Sequence, residues 1–250
     1  MGRVIAVANQ KGGVAKTTTV HALGAALAER GASVLVVDLD PQASLSFAAG
    51  VEDEPEPSMH EVMMGRASID DILYESHGLD VAPSSIDLAG AEVHLLAKTG
   101  REYVLQRALR ATTERYDFVL IDCPPSLGIL TINGLTAARE VLIPLQAELL
   151  TLRGLGQLLE TVTDVRSFTN PELEVAGAVI TLFDSRTRLG RDVVARIRES
   201  HDIRILEPFI PKSVKVAESP GRGISILDHA SSSRAAMAYR ELAAHLEALT

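Results

Sequence analysis

Lys11-Gly12-Gly13-Val14-Ala15-Lys16-Thr17-Thr18 is the stretch of sequence from which the fold of this chain can be inferred. An apolar run typical of a buried strand precedes it at residues 4–8, and a helix-like segment follows at residues 19–30. A glycine-rich turn lets backbone N–H groups approach an anion, and the helix N-terminus adds partial positive charge. The order of strand, turn and helix therefore predicts a phosphate-binding loop.

The side chains of this loop predict how a nucleotide would be held. Lys16 would reach the β- and γ-phosphate oxygens, and the Thr17 hydroxyl would ligate Mg²⁺. The usual spacing G-x-x-x-x-G-K-[ST] is not met, because Gln10 and Ala15 stand where glycines are expected. Ala15 is harmless if its φ is negative and costs stability or affinity if its φ is positive.

Two further stretches place carboxylates at the ends of predicted strands. The run at residues 34–37 ends in Asp38-Leu39-Asp40-Pro41-Gln42, and residues 118–121 end in Asp122-Cys123-Pro124-Pro125. Ligands of open α/β sheets bind beyond the carboxyl ends of the strands. Asp122 is therefore expected in the Mg²⁺ shell. Cys123, the only cysteine, is more simply a small buried side chain.

Composition and periodicity predict an α/β fold for residues 1–250, taken as a single domain. Strands are predicted near residues 79–82, 140–146 and 175–182, and helices near residues 85–96, 102–113, 152–168, 189–199 and 233–249. This alternation predicts a mostly parallel, doubly wound sheet covered by helices on both faces. The single cysteine suits a reducing cytoplasm. The start of the chain and the lack of a long apolar run lead us to expect neither a signal peptide nor a membrane span.

Charge is unevenly distributed along the chain. The net charge is −9, yet residues 186–222 hold nine Lys or Arg against five Asp or Glu. A basic region on an acidic body can bind phosphate backbones locally while the rest repels them. For any one of these residues, an ordinary solvated surface charge remains the alternative.

The sequence resembles the ParA/Soj partition ATPases from end to end. Its P-loop, with a second lysine five residues before Lys16, is similar to the deviant form of the wider ParA/MinD group. The other matching stretches are Asp38-Leu39-Asp40-Pro41-Gln42, Leu120-Ile121-Asp122-Cys123-Pro124-Pro125-Ser126, Asp184-Ser185-Arg186-Thr187, Ile210-Pro211-Lys212-Ser213-Val214 and Ala217-Glu218-Ser219-Pro220. The last three narrow the match to partition-type members.

The resemblance implies an Mg²⁺-dependent ATPase that binds ATP and ADP. Residues 11–18 would cradle the phosphates, while Thr17, Asp40 and Asp122 would serve the metal. Asp40 would orient the attacking water, and Lys11 would reach the phosphates bound by the other subunit of a homodimer. The loop from Pro211 to Ser213 would lie against the adenine, although asparagine is common in relatives where this chain has Ser213.

The resemblance also implies partners. Relatives bind double-stranded DNA without sequence preference when ATP joins two subunits, and a ParB-type protein stimulates them. Arg186, Arg188, Lys212 and Lys215 occupy the corresponding stretches. We therefore expect a cytoplasmic, nucleoid-associated protein that segregates chromosome or plasmid DNA.

Three other classes compete with this interpretation. A MinD-like membrane switch needs a C-terminal amphipathic helix with a basic face. Here Tyr239, Leu242, Leu246 and Leu249 form a stripe without such a face, which favours packing on the body. An orphan ParA-like ATPase with another cargo stays open. The nitrogenase iron protein needs two cysteines per chain and is nearly excluded.

Overall fold

The computed structural model describes residues 2–51, 54–148, 151–186, 188–200 and 203–248, without the side chains of residues 188 and 189. Within these residues eight strands form one sheet in the order β3-β4-β2-β5-β1-β6-β7-β8. The strands are β1 (Arg3–Val7), β2 (Val34–Asp38), β3 (Tyr74–Ser76), β4 (Leu79–Ala82), β5 (Phe118–Asp122), β6 (Glu140–Gln146), β7 (Glu174–Thr181) and β8 (Ile205–Leu206). All neighbouring pairs are parallel except β3 with β4, which confirms the predicted mostly parallel sheet.

Helices cover both faces of this sheet. They are α1 (Lys16–Glu29), α2 (Ser44–Ala48), α3 (Met59–Met64), α4 (Leu88–Leu95), α5 (Val104–Leu109), α6 (Ile129–Ala137), α7 (Thr151–Phe168), α8 (Arg188–Ser200), α9 (Val214–Glu218), α10 (Ile226–His229) and α11 (Arg234–Ala248). Short 3₁₀ turns lie at Asp70–Ile72, Arg101–Tyr103, Thr112–Arg115 and Pro220–Arg222. Alternate residues of β1 and β2 pack into opposite cores. One core is shared with α3 to α8, and the other with α1, α2 and α9 to α11.

The C-terminal helix packs on the body, as its apolar stripe predicts. Tyr239, Leu242 and Leu246 are buried in the core that α11 shares with α1, while Leu249 lies outside the described residues. No helix in the described part of the chain has both the length and the apolar character needed to span a bilayer.

Two stretches of the chain differ in secondary structure from what the sequence predicts. The single helix expected at residues 102–113 is a 3₁₀ turn, α5 and a second 3₁₀ turn. Residues 203–211, to which the sequence assigned no strand, contain β8, whose two residues pair with Ala178 and Val179 of β7. Such short segments have too few residues to show a periodicity, so the neighbouring strand decides their conformation.

Candidate functional site

The glycine-rich loop joins β1 to α1 and is anchored by side chains from neighbouring strands. Thr181 donates a hydrogen bond to the Val14 carbonyl at 2.9 Å, and Gln146 Nε2 donates to the Gly13 carbonyl at 2.9 Å. Asn9 Oδ1 accepts from the backbone N–H of Lys11 at 2.9 Å. These contacts fix the loop before any ligand arrives.

Ala15 has a left-handed backbone with φ of 64° directly before α1. This settles the question that the sequence left open, since the positive φ is the unfavourable case for alanine. Gly13, with φ of 74°, occupies the same region without that cost. The loop therefore carries backbone strain at Ala15.

The loop forms one wall of a cleft of about 640 Å³ at the carboxyl ends of the strands. The opposite walls come from the β2–α2 connection, α2, the loop before α9, α9 itself and α10. Its lining includes Gly12, Gly13, Ala15, Lys16, Thr17, Thr18, His21, Asp40, Gln42, Ser213, Val216, Pro220 and Ile226. The structure thus brings most of the predicted P-loop residues together with Asp40 and Ser213.

Asp122 lies at the end of β5 behind this cleft. The Thr17 hydroxyl donates to Asp122 Oδ2 at 2.6 Å, while Asp122 Oδ1 is buried without a partner among the described residues. Burial and the neighbouring Asp38 raise the pKa of Asp122, against the opposing effects of Thr17 and Lys16. A bound cation would satisfy the orphaned oxygen and favour its charged form.

Asp38 organises the turn after β2, a role that the sequence analysis did not assign. Asp38 Oδ2 accepts hydrogen bonds from the Ser46 N–H at 2.8 Å and the Ser46 hydroxyl at 2.7 Å. Asp38 Oδ1 accepts from the Asp40 N–H at 3.1 Å, and Asp40 Oδ1 accepts from the Gln42 N–H at 3.0 Å. Burial raises the pKa of Asp38 to about 6. The network holds Asp40 at the cleft wall.

The two lysines of the loop differ in position. Lys16 is buried and lines the cleft, and burial lowers its pKa although Asp122, Cys123 and Asp40 act to raise it. Lys11 lies outside the cleft lining. Its Nζ donates to Gln146 Oε1 at 3.0 Å and to Glu148 Oε2 at 2.5 Å, at the end of β6. The structure therefore holds Lys11 away from the phosphate end of its own cleft.

Of the residues predicted to contact adenine, Ser213 lines the cleft and Pro211 does not. Pro211 instead forms an isolated parallel bridge with Phe183. That bridge positions the loop that carries Ser213. Both adenine contacts stay predictions.

The residues predicted to bind DNA are only partly brought together. Arg186 donates to Asp184 through Nε at 2.9 Å and Nη2 at 2.8 Å, and Lys215 donates to Glu218 at 2.9 Å. Lys212 shares a hollow with Asp184. Arg188 begins α8, and its side chain is outside the described residues, as is all of Thr187.

Cys123 is buried, as predicted, and its Sγ lies against Gly134 of α6, where a Cβ would approach it to 2.8 Å. In the described part of the chain, no group of three or more His, Cys, Asp or Glu could hold a metal ion. A metal here would therefore depend on few protein ligands, which is the usual arrangement for Mg²⁺ bound with phosphates and water.

Comparison with known proteins places this site in a family. Residues 2–175 match the family model described as the AAA domain. The chain is 42% identical to the sporulation initiation inhibitor protein Soj of Bacillus subtilis, over 99% of both chains. It is 42% identical to the chromosome partitioning protein ParA of Caulobacter vibrioides, over 96% of this chain and 92% of that protein.

A solved structure gives the same picture of the fold. The structure of cobyrinic acid a,c-diamide synthase from Mycobacterium smegmatis with bound ADP and magnesium superposes with a TM-score of 0.89 and 48% identity. The superposition covers 99% of this chain and 94% of the synthase chain. Together the fold and the site define a P-loop ATPase. More narrowly, the chain belongs to the ParA/Soj family of ATPases.

Proposed function

We propose that this chain is a dimerising ATPase switch that binds DNA without sequence preference and segregates chromosome or plasmid DNA with a ParB-type partner. The observation that carries the proposal is the position of Lys11. Its ammonium group lies outside its own cleft, at the end of β6, whereas Lys16 of the same loop lies inside. A loop lysine in this position suits a role toward a second copy of the chain.

The cleft residues would divide the work of holding Mg²⁺ and ATP or ADP. Residues 12–18 would surround the phosphates with backbone N–H groups, and Lys16 would neutralise their charge. Thr17 and Asp122 fit a magnesium ion, because they supply hard oxygen donors and one Asp122 oxygen is buried without a partner among the described residues. The ion would neutralise charge on the phosphates during transfer.

Hydrolysis would depend on Asp40. Its carboxylate lines the cleft and accepts a hydrogen bond from the Gln42 N–H, which supports the proposal that it orients a water toward the terminal phosphate. Phosphoryl transfer needs mainly positioning and charge neutralisation. Lys11 of a partner subunit would add positive charge at the same phosphates once it leaves Glu148.

DNA binding would use Arg186, Arg188, Lys212 and Lys215. The Arg186 and Lys215 side chains are exposed, and each is paired with a carboxylate of its own segment. DNA phosphates would have to displace those pairings, and exposed pairs of this kind are weak. Contacts to the backbone alone position the protein without reading sequence. We propose a nucleoid-associated location on this basis.

The first experiment measures DNA binding by the Asp40→Ala protein with ATP, with ADP and without nucleotide over a salt series. We expect binding only with ATP, with an affinity that falls steeply as salt rises because phosphate contacts release counterions. Binding to random and A·T-rich duplexes should be equal. Absence of binding in all three states would contradict the DNA proposal and leave the ATPase assignment unaffected.

Three variants control this experiment. Lys16→Ala should lose nucleotide binding and with it the DNA binding. Arg186→Glu should bind ATP normally but bind DNA more weakly, because the new carboxylate faces phosphates. Glu172→Gln, an exposed change away from the basic stretch, should leave both affinities unaltered. Unchanged DNA affinity in Arg186→Glu would show that Arg186 is an ordinary solvated surface charge without a role in DNA binding.

A further inference from the structure

His21 is a buried imidazole in the wall of the nucleotide cleft. It lies on α1, is 5% exposed and lines the cleft beside Ile226 and Pro220. Its Nε2 is buried and has no hydrogen-bonding partner among the described residues. His21 belongs to none of the sequence motifs described above.

The other buried polar side chains of α1 are satisfied. Thr19 donates from its hydroxyl to the Ala15 carbonyl at 2.7 Å, and Lys16 Nζ lies 3.4 Å from the Lys11 carbonyl. A polar nitrogen that loses its hydrogen bond to water on burial and gains no other partner destabilises the folded protein. Most buried polar groups in folded proteins are therefore hydrogen-bonded. An imidazole with an unpaired buried nitrogen in the wall of a ligand cleft therefore points to a role toward the ligand.

The imidazole is neutral near pH 7. Burial lowers the pKa of His21 to about 4, and it outweighs the nearby Asp228, which favours the charged form, while His77 acts in the same direction as burial. A neutral imidazole has one N–H donor and one acceptor nitrogen. It can therefore hydrogen-bond an uncharged group but adds no charge to the phosphate end.

The position of His21 identifies the part of the nucleotide that it faces. It follows Thr17 by four residues, so it lies on the same face of α1 roughly 6 Å farther from the phosphate loop. The neighbouring Val216, Pro220 and Ile226 are apolar and suit the flat faces of an aromatic base. We propose that the His21 imidazole hydrogen-bonds the edge of the purine base and favours purine over pyrimidine nucleotides.

This inference rests on nucleotide binding and is independent of DNA. The test compares wild type, His21→Leu and His21→Gln for binding of ADP, uridine diphosphate and pyrophosphate by calorimetry. Loss of one hydrogen bond should weaken ADP binding about fivefold to tenfold in His21→Leu. Pyrophosphate and uridine diphosphate should bind as before. His21→Gln, which retains a polar nitrogen and oxygen, should recover most of the loss.

Two outcomes would overturn the proposal: unchanged ADP affinity, or an equal loss for all three ligands, which would mark a structural role. His77→Gln removes the exposed neighbouring imidazole and should change none of the affinities. A measurement on the wild-type protein covers variants that fail to fold. The ¹⁵N resonances of the His21 ring should shift with ADP and stay in place with pyrophosphate, and the reverse pattern would also reject the proposal.

Discussion

Ala15 shows how a single residue in the loop bears strain. An L-residue in the left-handed region costs about 1–2 kcal/mol, whereas glycine adopts it freely. The φ of 64° belongs to the residue directly before Lys16, so relief of strain here acts at the phosphate end of the cleft.

We expect Ala15→Gly to raise the free energy of unfolding by about 0.5–1 kcal/mol, because relief of the strain exceeds the extra entropy of glycine in the unfolded chain. Chemical denaturation would measure it. Ala28→Gly, in the last turn of α1, should instead lower stability, since glycine has a lower helix propensity than alanine. A loss of stability in both variants would contradict the strain at Ala15.

Asp38 makes stability depend on pH. The folded chain keeps a proton on Asp38 up to about pH 6, whereas the unfolded chain releases it near its ordinary value of 3.8. The contribution of Asp38 to folding is therefore fully present below about pH 4 and is lost as the pH rises through 6.

Removal of this carboxyl should flatten the pH profile of stability. We expect the free energy of unfolding of Asp38→Asn to fall less than that of wild type between pH 4 and 6.5, by on the order of 2 kcal/mol. Urea titrations at several pH values would measure it. Asp117→Asn is a control, because Ser33 lowers the pKa of Asp117 and its effect on stability falls below about pH 4; its profile should run parallel to that of wild type over this range. Parallel profiles for wild type and Asp38→Asn would refute the assignment.

At the scale of secondary-structure elements, residues at the end of β6 fix the position of the glycine-rich loop between β1 and α1. Gln146 reaches both the Gly13 carbonyl and Lys11, and Glu148 pairs with Lys11. The Lys11 and Glu148 side chains are 35% and 55% exposed, so their ion pair is weak and easily exchanged.

If Lys11 must leave Glu148 to serve a partner subunit, weakening this pair should favour dimerisation. We expect Glu148→Gln, made in the Asp40→Ala background with ATP, to lower the dimer dissociation constant about twofold to fivefold. Sedimentation over a concentration series would measure it, with Glu172→Gln as the matched surface control. Weaker dimerisation would mean instead that Glu148 itself contributes to the interface.

The elements that the sequence predicted are those with a strong pattern of their own. Residues 140–146 and 79–82 match β6 and β4 because each is mainly apolar and mainly buried. β3 and β8 were not predicted, since strands of three and two residues take their conformation from the strand beside them. The acids at strand ends were found from the sequence, but the pairing of Lys11 with Glu148 joins residues 137 positions apart and has no local signal. His21 was not recognised as a candidate site residue from the sequence, because a single histidine outside any motif does not indicate a particular function.

At the scale of the whole molecule, one largely buried ion pair joins the centre of the sheet to the helix that covers it at the C-terminal end. Arg3 of β1 donates to both carboxylate oxygens of Glu140 on β6, at 2.6 and 2.7 Å, and to the Leu246 carbonyl of α11. Their side chains are 10% and 14% exposed. Three distant parts of the chain therefore depend on one guanidinium.

Breaking this pair should be costly. We expect Glu140→Gln to lower the free energy of unfolding by about 3 kcal/mol, because it leaves the Arg3 charge buried with a neutral partner. Glu247→Gln removes the partner of Arg30 in an exposed pair and should cost under about 1 kcal/mol. Equal effects in the two variants, measured by denaturation, would show that burial does not set the strength of the Arg3 pair.

The burial of Cys123 determines how fast thiol reagents react with this protein. Its side chain is enclosed by the sheet and α6, and burial raises its pKa, so little thiolate is present or reachable in the native state. Reagents that alkylate thiols should therefore react only with molecules that have opened around β5. Their rate of reaction reports that opening directly, and a cysteine introduced on the surface would carry a dye without competition from the native one.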